Sequence, residues 1–356
     1  MTDGPRWRRR FGRAWPWIKY AGGIALAALA LWAVAGRRGE LSGASHYLAH
    51  LRWAWVLGAS VLELGSYMAF AIVQRRLLWA GGVDMSLGRA TSLTLASTAI
   101  ANSMPAGPVV SLVYAFRQYR RRGADNALAG WTLGALFVTA SVTLAVVAAV
   151  GVAVAGAEGA GLDLIGVTVG VLLAALALGV LFVQRRAIAW LITGSVHTSK
   201  RWLHWPRDDA EARIDRIIVR LTTVTLTGTG LAEVAGWGLA NWVLDCGCLA
   251  LSFLAVGVGV PWKGLLLAYG AGQLAANLPI TPGGLGVVEG SITIALAQFD
   301  GARSSTLAAV LLYRILSFWI ELPVGWATWG VVAWADRRAG PVPEPLPVPE
   351  RVEATP

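Results

Sequence analysis

Apolar blocks close to twenty residues long recur through this 356-residue chain and decide what it can fold into. A helix rises about 1.5 Å per residue, so about twenty apolar residues cross the ~30 Å hydrocarbon core of a bilayer. Charged residues make up only 14% of the chain, against about 25% in soluble domains. The sequence therefore predicts an all-α, polytopic transmembrane helical bundle and excludes a soluble globular protein.

Most of these blocks are predicted to be full membrane spans. They cover about residues 17–35, 54–74, 127–155, 164–183, 230–257 and 306–334. Two further blocks, 91–116 and 263–299, carry Pro and Gly in their middle, which a lipid-facing helix tolerates poorly. We interpret these two as broken or re-entrant segments, with full crossings as the alternative. Together the blocks predict a membrane domain over residues 17–335.

The basic residues predict which side of the membrane each loop occupies. If both broken segments enter and leave on one side, 24 of the 30 Lys and Arg residues fall on the side of the N-terminus. The pieces on that side are residues 1–19, 74–91, 117–126, 184–229 and 335–356. Positive loops face the cytoplasm, so both termini are predicted inside, with the chain in the cytoplasmic (plasma) membrane. The same bias accounts for the net charge of +10 without nucleic acid, and no nucleic-acid partner is expected.

Three polar segments flank or interrupt the membrane domain. Residues 1–16 are predicted to be a basic cytoplasmic N-terminus and not a cleaved signal peptide, because the first apolar block is long enough to span. The loop 184–229 contains an amphipathic pattern typical of a helix lying on the anionic inner leaflet. The tail 336–356 is Pro-rich and is predicted to be disordered, with no catalytic domain after the membrane region.

The two broken segments resemble each other. The first contains ANSMPAGP from residue 101, and the second contains ANLPITPGG from residue 276. Each is followed by a Gly-Ala pair and then by a Leu-Ala pair that enters a long span. On the topology above, the first segment enters from the cytoplasm and the second from outside, which is the pattern of an inverted repeat. The alternative is a pair of Pro kinks that only aid packing.

Breaks of this kind predict a binding site near the middle of the membrane. Pro removes a backbone donor and frees a carbonyl group, and Gly permits sharp turns. The exposed backbone groups must then be satisfied by neighbouring helices, water or substrate. The predicted substrate-binding residues at the breaks are Asn102, Pro105, Gly107, Asn277, Pro279, Thr281, Pro282, Gly283 and Gly284.

Ionisable residues inside the spans complete the predicted site. Each costs about 2.5–3.5 kcal/mol at membrane depth on insertion scales, so it is expected to be paired or functional. Glu289 follows the second break, and Arg314 and Glu321 lie seven residues apart on one span. We expect Arg314 to hold a lipid phosphate and Glu289 to position Arg314 or to titrate. The alternative is a structural Arg–Glu clasp. Glu63 and Asp245 are further, weaker candidates.

Three stretches resemble a known family. NLPITPGGLGVVEGSI (277–292) and AAVLLYRILSFWIELPVG (308–325) are similar to the C-terminal signature of the lysylphosphatidylglycerol synthase transmembrane-region family, which is flippase-like. ANSMPAGPVVSLVYAFRQYRRRG (101–123) resembles its earlier segment, but Ala106-Gly107-Pro108 stands where many members carry an Arg and a Gly-Glu pair. The resemblance implies helices with broken elements and a role in binding or moving polar lipids. It implies a stand-alone member, without the aminoacyl-transferase domain of the full-length synthases.

Several functions are compatible with this pattern. The leading prediction is a flippase-like protein that binds or translocates a polar, anionic phospholipid or a polyprenyl-linked headgroup between leaflets. A secondary transporter of a small solute is the first alternative. A membrane enzyme is a weaker one, because the sequence has no HExxH, GxSxG or Asp-rich metal motif, and no cofactor or metal is expected. Cys246 and Cys248 lie two residues apart on a predicted helix and indicate neither a disulfide nor a metal site.

Overall fold

The computed structural model describes residues 47–104, 106–156, 226–276, 282–296 and 303–339, together with residues 170, 172, 173, 177, 179 and 299. The predicted segments 1–16 and 17–35, most of 164–183 and nearly all of the loop 184–229 lie outside the described residues, as does the tail from residue 340. Of the predicted site residues, those outside are Pro105, Asn277, Pro279 and Thr281.

Every regular element within the described residues is helical, which confirms the all-α fold class. The helices are α1 (Trp53–Ala80), α2 (Leu87–Ser103), α3 (Gly107–Arg121), α4 (Asn126–Gly156), α5 (Gly228–Ala255), α6 (Trp262–Ala276), α7 (Val287–Leu296), α8 (Arg303–Arg314) and α9 (Glu321–Ala339). Four helical stretches are long and apolar enough to cross a membrane: Trp53–Ala80, Asn126–Ala155, Gly228–Ala255 and Ser304–Arg338. The chain is therefore a multi-pass membrane protein.

Helices α1 and α5 pack side by side along their length. Their contacts, in order along α1, are Arg52 N–H to Ala255 O, Ser66 to Asn241, and Arg76 to Glu233. Residue numbers rise along α1 in this series while those of their α5 partners fall, so the two helices are antiparallel. Small residues allow the close approach, since a Cβ on Gly58 would lie 3.1 Å from the Leu251 side chain.

The first broken segment is a helical hairpin formed by α2 and α3. Its turn has Met104 in extended backbone and Ala106 in the left-handed region at φ 57°. The hydroxyl of Ser111 donates to the carbonyl of Ser97 at 2.8 Å, and these residues lie at equal distances on either side of residue 104. The chain therefore turns back on itself there. Pro108 opens α3 at a position where its missing N–H is no loss.

The second broken segment also folds back on itself, through α6, a short 3₁₀ turn at Pro282–Gly284, and α7. A Cβ on Gly272 would lie 2.5 Å from Ile292, and one on Gly264 would meet the Phe299 ring. In each pair the two residues lie at about equal sequence distances before and after the start of the short turn, so α6 and α7 run antiparallel. We call α2–α3 the first hairpin and α6–α7 the second hairpin; the residues at their turns are the hairpin tips.

Helices α8 and α9 form one long element interrupted by a π-helical turn, Ile315–Trp319. The N–H of Ile320 donates to the carbonyl of Ile315 at 2.9 Å, which skips one residue more than an α-helical bond. The sequence predicted a regular span over 306–334 and a disordered tail from residue 336. The tail boundary was wrong, because α9 continues to Ala339. Asp336 accepts a 2.7 Å hydrogen bond from Gln118 of α3, which ties this end of α9 to the first hairpin.

Candidate functional site

The two hairpin tips converge on the π turn between α8 and α9. Arg314, just before the turn, contacts the tip of the second hairpin, and Glu321, just after it, contacts the tip of the first. Both side chains are buried. We call this convergence the tip junction. It joins residues that lie far apart in sequence, and it brings together most of the described residues that the sequence predicted for the site.

Arg314 fixes the second hairpin through two hydrogen bonds. Its Nε donates to Glu289 Oε1 at 2.7 Å, and its Nη2 donates to the carbonyl of Gly283 at 2.8 Å. The guanidinium also lies over the ring of Phe318, 4.5 Å from the centroid. Glu289 uses its second oxygen to accept from the N–H of Gly286 at 2.7 Å, beside the start of α7. These contacts hold the hairpin in place, as the structural clasp considered above requires.

Glu321 meets the first hairpin through Asn102. The Nδ2 of Asn102 donates to Glu321 Oε2 at 3.3 Å, while Oε1 meets no donor among the described residues although it is shielded from solvent. Nearby, the indole N–H of Trp326 donates to the Ser103 hydroxyl at 2.9 Å. The carboxyl group of Glu321 therefore keeps one acceptor open to a hydrogen-bond donor at the tip junction.

Steric crowding explains why glycines occupy the tip of the second hairpin. Gly283 and Gly284 both adopt positive φ, at 61° and 67°, and a Cβ on Gly283 would run into the Phe318 ring. Only glycine fits such a turn without strain. Gly284 packs against Ala276 and Val288 of its own hairpin, and Pro282 begins the short turn.

Gly107 has a packing role at the tip of the first hairpin. A Cβ there would clash with the backbone carbonyl of Ala101, so the residue allows α2 and α3 to approach closely. Its predicted role in binding stays a prediction, and the structure adds a role in hairpin packing.

Sequence reasoning missed the link between α1 and the π turn. The hydroxyl of Tyr67 donates to the carbonyl of Ser317 at 3.1 Å, and so satisfies a backbone group inside the π turn. Nothing in the local sequence marks these residues, which lie 250 positions apart. The sequence also did not predict that Arg314 and Glu321 contact different hairpins.

Among the described residues, no group of three or more His, Cys, Asp or Glu side chains is placed to hold a metal ion.

Comparison with known proteins identifies the family. The family described as the lysylphosphatidylglycerol synthase TM region matches residues 20–325. The chain belongs to this family. Its description ties the family to a lipid-modifying synthase, so the protein is a membrane protein of a family related to lipid handling.

Two curated matches are to UPF0104 membrane proteins of Methanothermobacter thermautotrophicus. One is 39% identical over 80 residues, covering 22% of this chain and 23% of the relative. The other is 28% identical over 97 residues, covering 27% and 29%. Each match therefore spans less than a third of the relative's length. Neither name states an activity or a ligand.

Proposed function

We propose that this protein binds a polar lipid headgroup at the tip junction and moves the lipid between leaflets, as a flippase-like protein. The observation that carries the proposal is the junction itself, where the buried Arg314 and Glu321, together with Asn102, meet two interrupted hairpins. Broken helices that meet inside a membrane bundle form the substrate sites of many secondary transporters. The family's relation to lipid handling supports a lipid as the substrate.

An inverted repeat would explain why two hairpins meet there. Each described half contains a long helix, a hairpin and a second long element: α1 to α4 in the first half, and α5 to α9 in the second. Helix α5 begins 175 residues after α1, and α6 begins 175 residues after α2. Ser66 and Asn241 are also 175 residues apart, and they touch each other at 3.2 Å. Equivalent positions meet in this way where a two-fold axis relates antiparallel helices.

The orientation of the halves can be tested with single cysteines, because the two native thiols are buried. Asp84→Cys follows α1, and Gly259→Cys follows α5 in open space. Since α1 and α5 are antiparallel and the charge pattern puts the Asp84 loop inside, an impermeant maleimide added to intact cells should label only Gly259→Cys. Asp84→Cys should be labelled only after permeabilisation. Labelling of both from the same side would contradict the inverted repeat.

The charges at the junction bear on the headgroup. The charge of Arg314 is balanced by Glu289, whereas Glu321 has no ion pair among the described residues. The planar guanidinium suits a phosphate, and the open oxygen of Glu321 suits a donor such as a hydroxyl or ammonium group. The proposed substrate is therefore a phospholipid or polyprenyl-linked lipid whose phosphate carries a hydrogen-bond-donating headgroup.

Lipid scrambling in proteoliposomes tests the function. Wild-type protein should accelerate transbilayer movement of fluorescent phosphatidylglycerol, followed by loss of fluorescence with an impermeant quencher. Asn102→Ala and Glu321→Gln should slow it by roughly tenfold, because each removes a polar group worth about 1.4 kcal/mol or more to the bound state. Ser111→Ala, which alters the first hairpin away from the junction, is the matched control.

Three results would overturn the proposal. Equal scrambling in wild-type protein and empty vesicles would remove the lipid-moving activity. Uptake of a water-soluble solute that depends on Glu321 would favour the small-solute transporter. Conversion of the lipid into a new product would favour a membrane enzyme.

A further inference from the structure

A second buried polar cluster lies outside the tip junction, where α1, α5, α6 and α8 meet. Glu63 of α1 faces Asp245 of α5 closely enough for the two carboxyl groups to interact directly. Asp245 Oδ2 accepts from the Tyr269 hydroxyl at 2.7 Å and from Gln273 Nε2 at 3.1 Å. The same Nε2 lies 3.2 Å from the Tyr313 hydroxyl. Two carboxyl groups from helices far apart in sequence thus belong to one polar cluster.

Each carboxyl group has an oxygen that is left without a donor. Glu63 Oε2 and Asp245 Oδ1 are both shielded from solvent, and neither accepts a hydrogen bond of normal geometry from a described residue, although hydroxyl and thiol groups lie nearby. Glu63 as a whole is only 6% exposed. Buried acceptors are nearly always satisfied, because leaving one without a partner costs about 1–3 kcal/mol. One proton can satisfy both of these oxygens. Bound to one of them, it forms an O–H group that donates a hydrogen bond to the other.

No cation in the described part of the chain offers an alternative partner. Neither carboxyl group forms an ion pair there, and Arg314, whose charge reaches Asp245, is itself held by Glu289 at 2.7 Å. The titratable or charged groups that face the pair from the surrounding helices are Tyr67 on α1, Cys246 and Cys248 on α5, Tyr269 on α6, and Tyr313 and Arg314 on α8. The neutral thiols and phenols in this set can exchange hydrogen bonds, but they cannot balance a negative charge.

We infer that Glu63 and Asp245 together form a proton-binding site in the core of the bundle, distinct from the lipid site. In the loaded state one carboxylic acid O–H bridges to the other carboxylate. On release that O–H bond breaks, the electron pair stays on the carboxylate oxygen, and the proton passes to water. The pair carries one negative charge when loaded and two when empty.

The position of this site suits proton coupling. Glu63 lies about one helical turn from Ser66, and Asp245 about one turn from Asn241, on the contact where equivalent positions of α1 and α5 meet. Loss of the proton places two like charges across the interface between α1 and α5. Like charges at close range repel strongly in a dry interior, so proton release favours separation of these helices. This coupling role rests on the proposed function, whereas the proton site does not.

Infrared difference spectroscopy of the purified protein in lipid nanodiscs tests the proton site without any substrate. A protonated carboxyl group gives a C=O stretch that ionised carboxylates lack. We expect wild-type protein to retain such a band at neutral pH and to lose it in alkaline buffer. Glu63→Gln should abolish the component that belongs to the pair, because the new amide can donate to Asp245 Oδ1 in place of the proton. Asp245→Asn should abolish the same component and serves as the second variant if the first does not fold.

Two comparisons make the result specific. Glu233→Gln removes a half-exposed carboxylate that is ion-paired with Arg76, and it should leave the band unchanged. Glu321→Gln removes the buried carboxyl group at the tip junction and should leave the component assigned to the pair. A spectrum without that component, or one unchanged in both Glu63→Gln and Asp245→Asn, would overturn the inference. A metal cation in place of the proton would also overturn the inference. It would show as a melting temperature that rises in sodium chloride but not in choline chloride, and only when both carboxyl groups are present. If wild-type protein shows the C=O band of the pair but does not scramble lipid, the proton site stands and the proposed function fails.

Discussion

Replacing Arg314 with Gln is expected to lower the free energy of unfolding by about 3–5 kcal/mol, because it leaves the buried Glu289 carboxylate without its cation. Both side chains are largely shielded, with 9% and 14% of their surfaces exposed. The substitution also removes the 2.8 Å hydrogen bond to the Gly283 carbonyl, so the tip of the second hairpin loses its anchor. The free energy of unfolding in detergent micelles measures the effect.

A double mutant separates the buried charge from the lost packing. Glu289→Gln with Arg314→Gln leaves two neutral amides that can still hydrogen-bond, and we expect it to be more stable than Arg314→Gln alone. Arg76→Gln breaks the more exposed pair with Glu233 and is the matched control, with an expected change of about 0–1 kcal/mol. If Arg314→Gln behaves like Arg76→Gln, the clasp does not hold the hairpin.

Replacing Gly107 with Ala is expected to destabilise the first hairpin by about 1–3 kcal/mol, because the new methyl group meets the backbone of α2. The obstacle is the carbonyl of Ala101, which cannot turn aside as a flexible side chain can. The two helices must separate at the tip, and the hydrogen bond from Ser111 to Ser97 should weaken with them. Thermal unfolding and amide hydrogen exchange in α3 measure the two consequences.

Gly88→Ala is the matched control for this substitution. Gly88 lies in α2 with no atom within 4 Å of its Cβ position, so alanine there should be neutral or stabilising by about 0.5–1 kcal/mol. Equal destabilisation by Gly107→Ala and Gly88→Ala would mean that the close approach at the tip is not what makes glycine necessary at position 107.

The sequence predicted the broken helices and the charged pair for physical reasons that act locally. Pro and Gly that occur together in the middle of an apolar block disfavour a continuous helix, because Pro lacks a backbone donor and Gly permits a turn, and the helices do end at Ser103 and Ala276. Opposite charges at membrane depth must find each other, and Arg314 does pair with Glu289. In both cases the residues themselves carry the constraint.

Most remaining features depend on tertiary contacts that local sequence does not encode. The residues of the π turn, ILSFW, include neither Pro nor Gly, and the nearby local signal is Pro323, whose missing N–H leaves the Trp319 carbonyl without its α-helical donor. The Tyr67 hydroxyl, from a distant helix, satisfies the Ser317 carbonyl inside the turn. Glu63 and Asp245 were recognised singly as costly in a membrane, but their meeting depends on the antiparallel packing of α1 and α5. The tail boundary at residue 336 was also wrong, because Asp336 is held by Gln118 of a distant helix.

The π turn also changes the direction in which the side chains of α9 point relative to those of α8. In an uninterrupted α-helix, seven residues make almost two full turns, and Arg314 and Glu321 would point in nearly the same direction. The wider turn rotates α9 about its own axis relative to α8. Regular α-helical backbone over the same seven residues would aim both side chains toward one side of the helix, so the irregular turn is what lets Arg314 and Glu321 contact different hairpins.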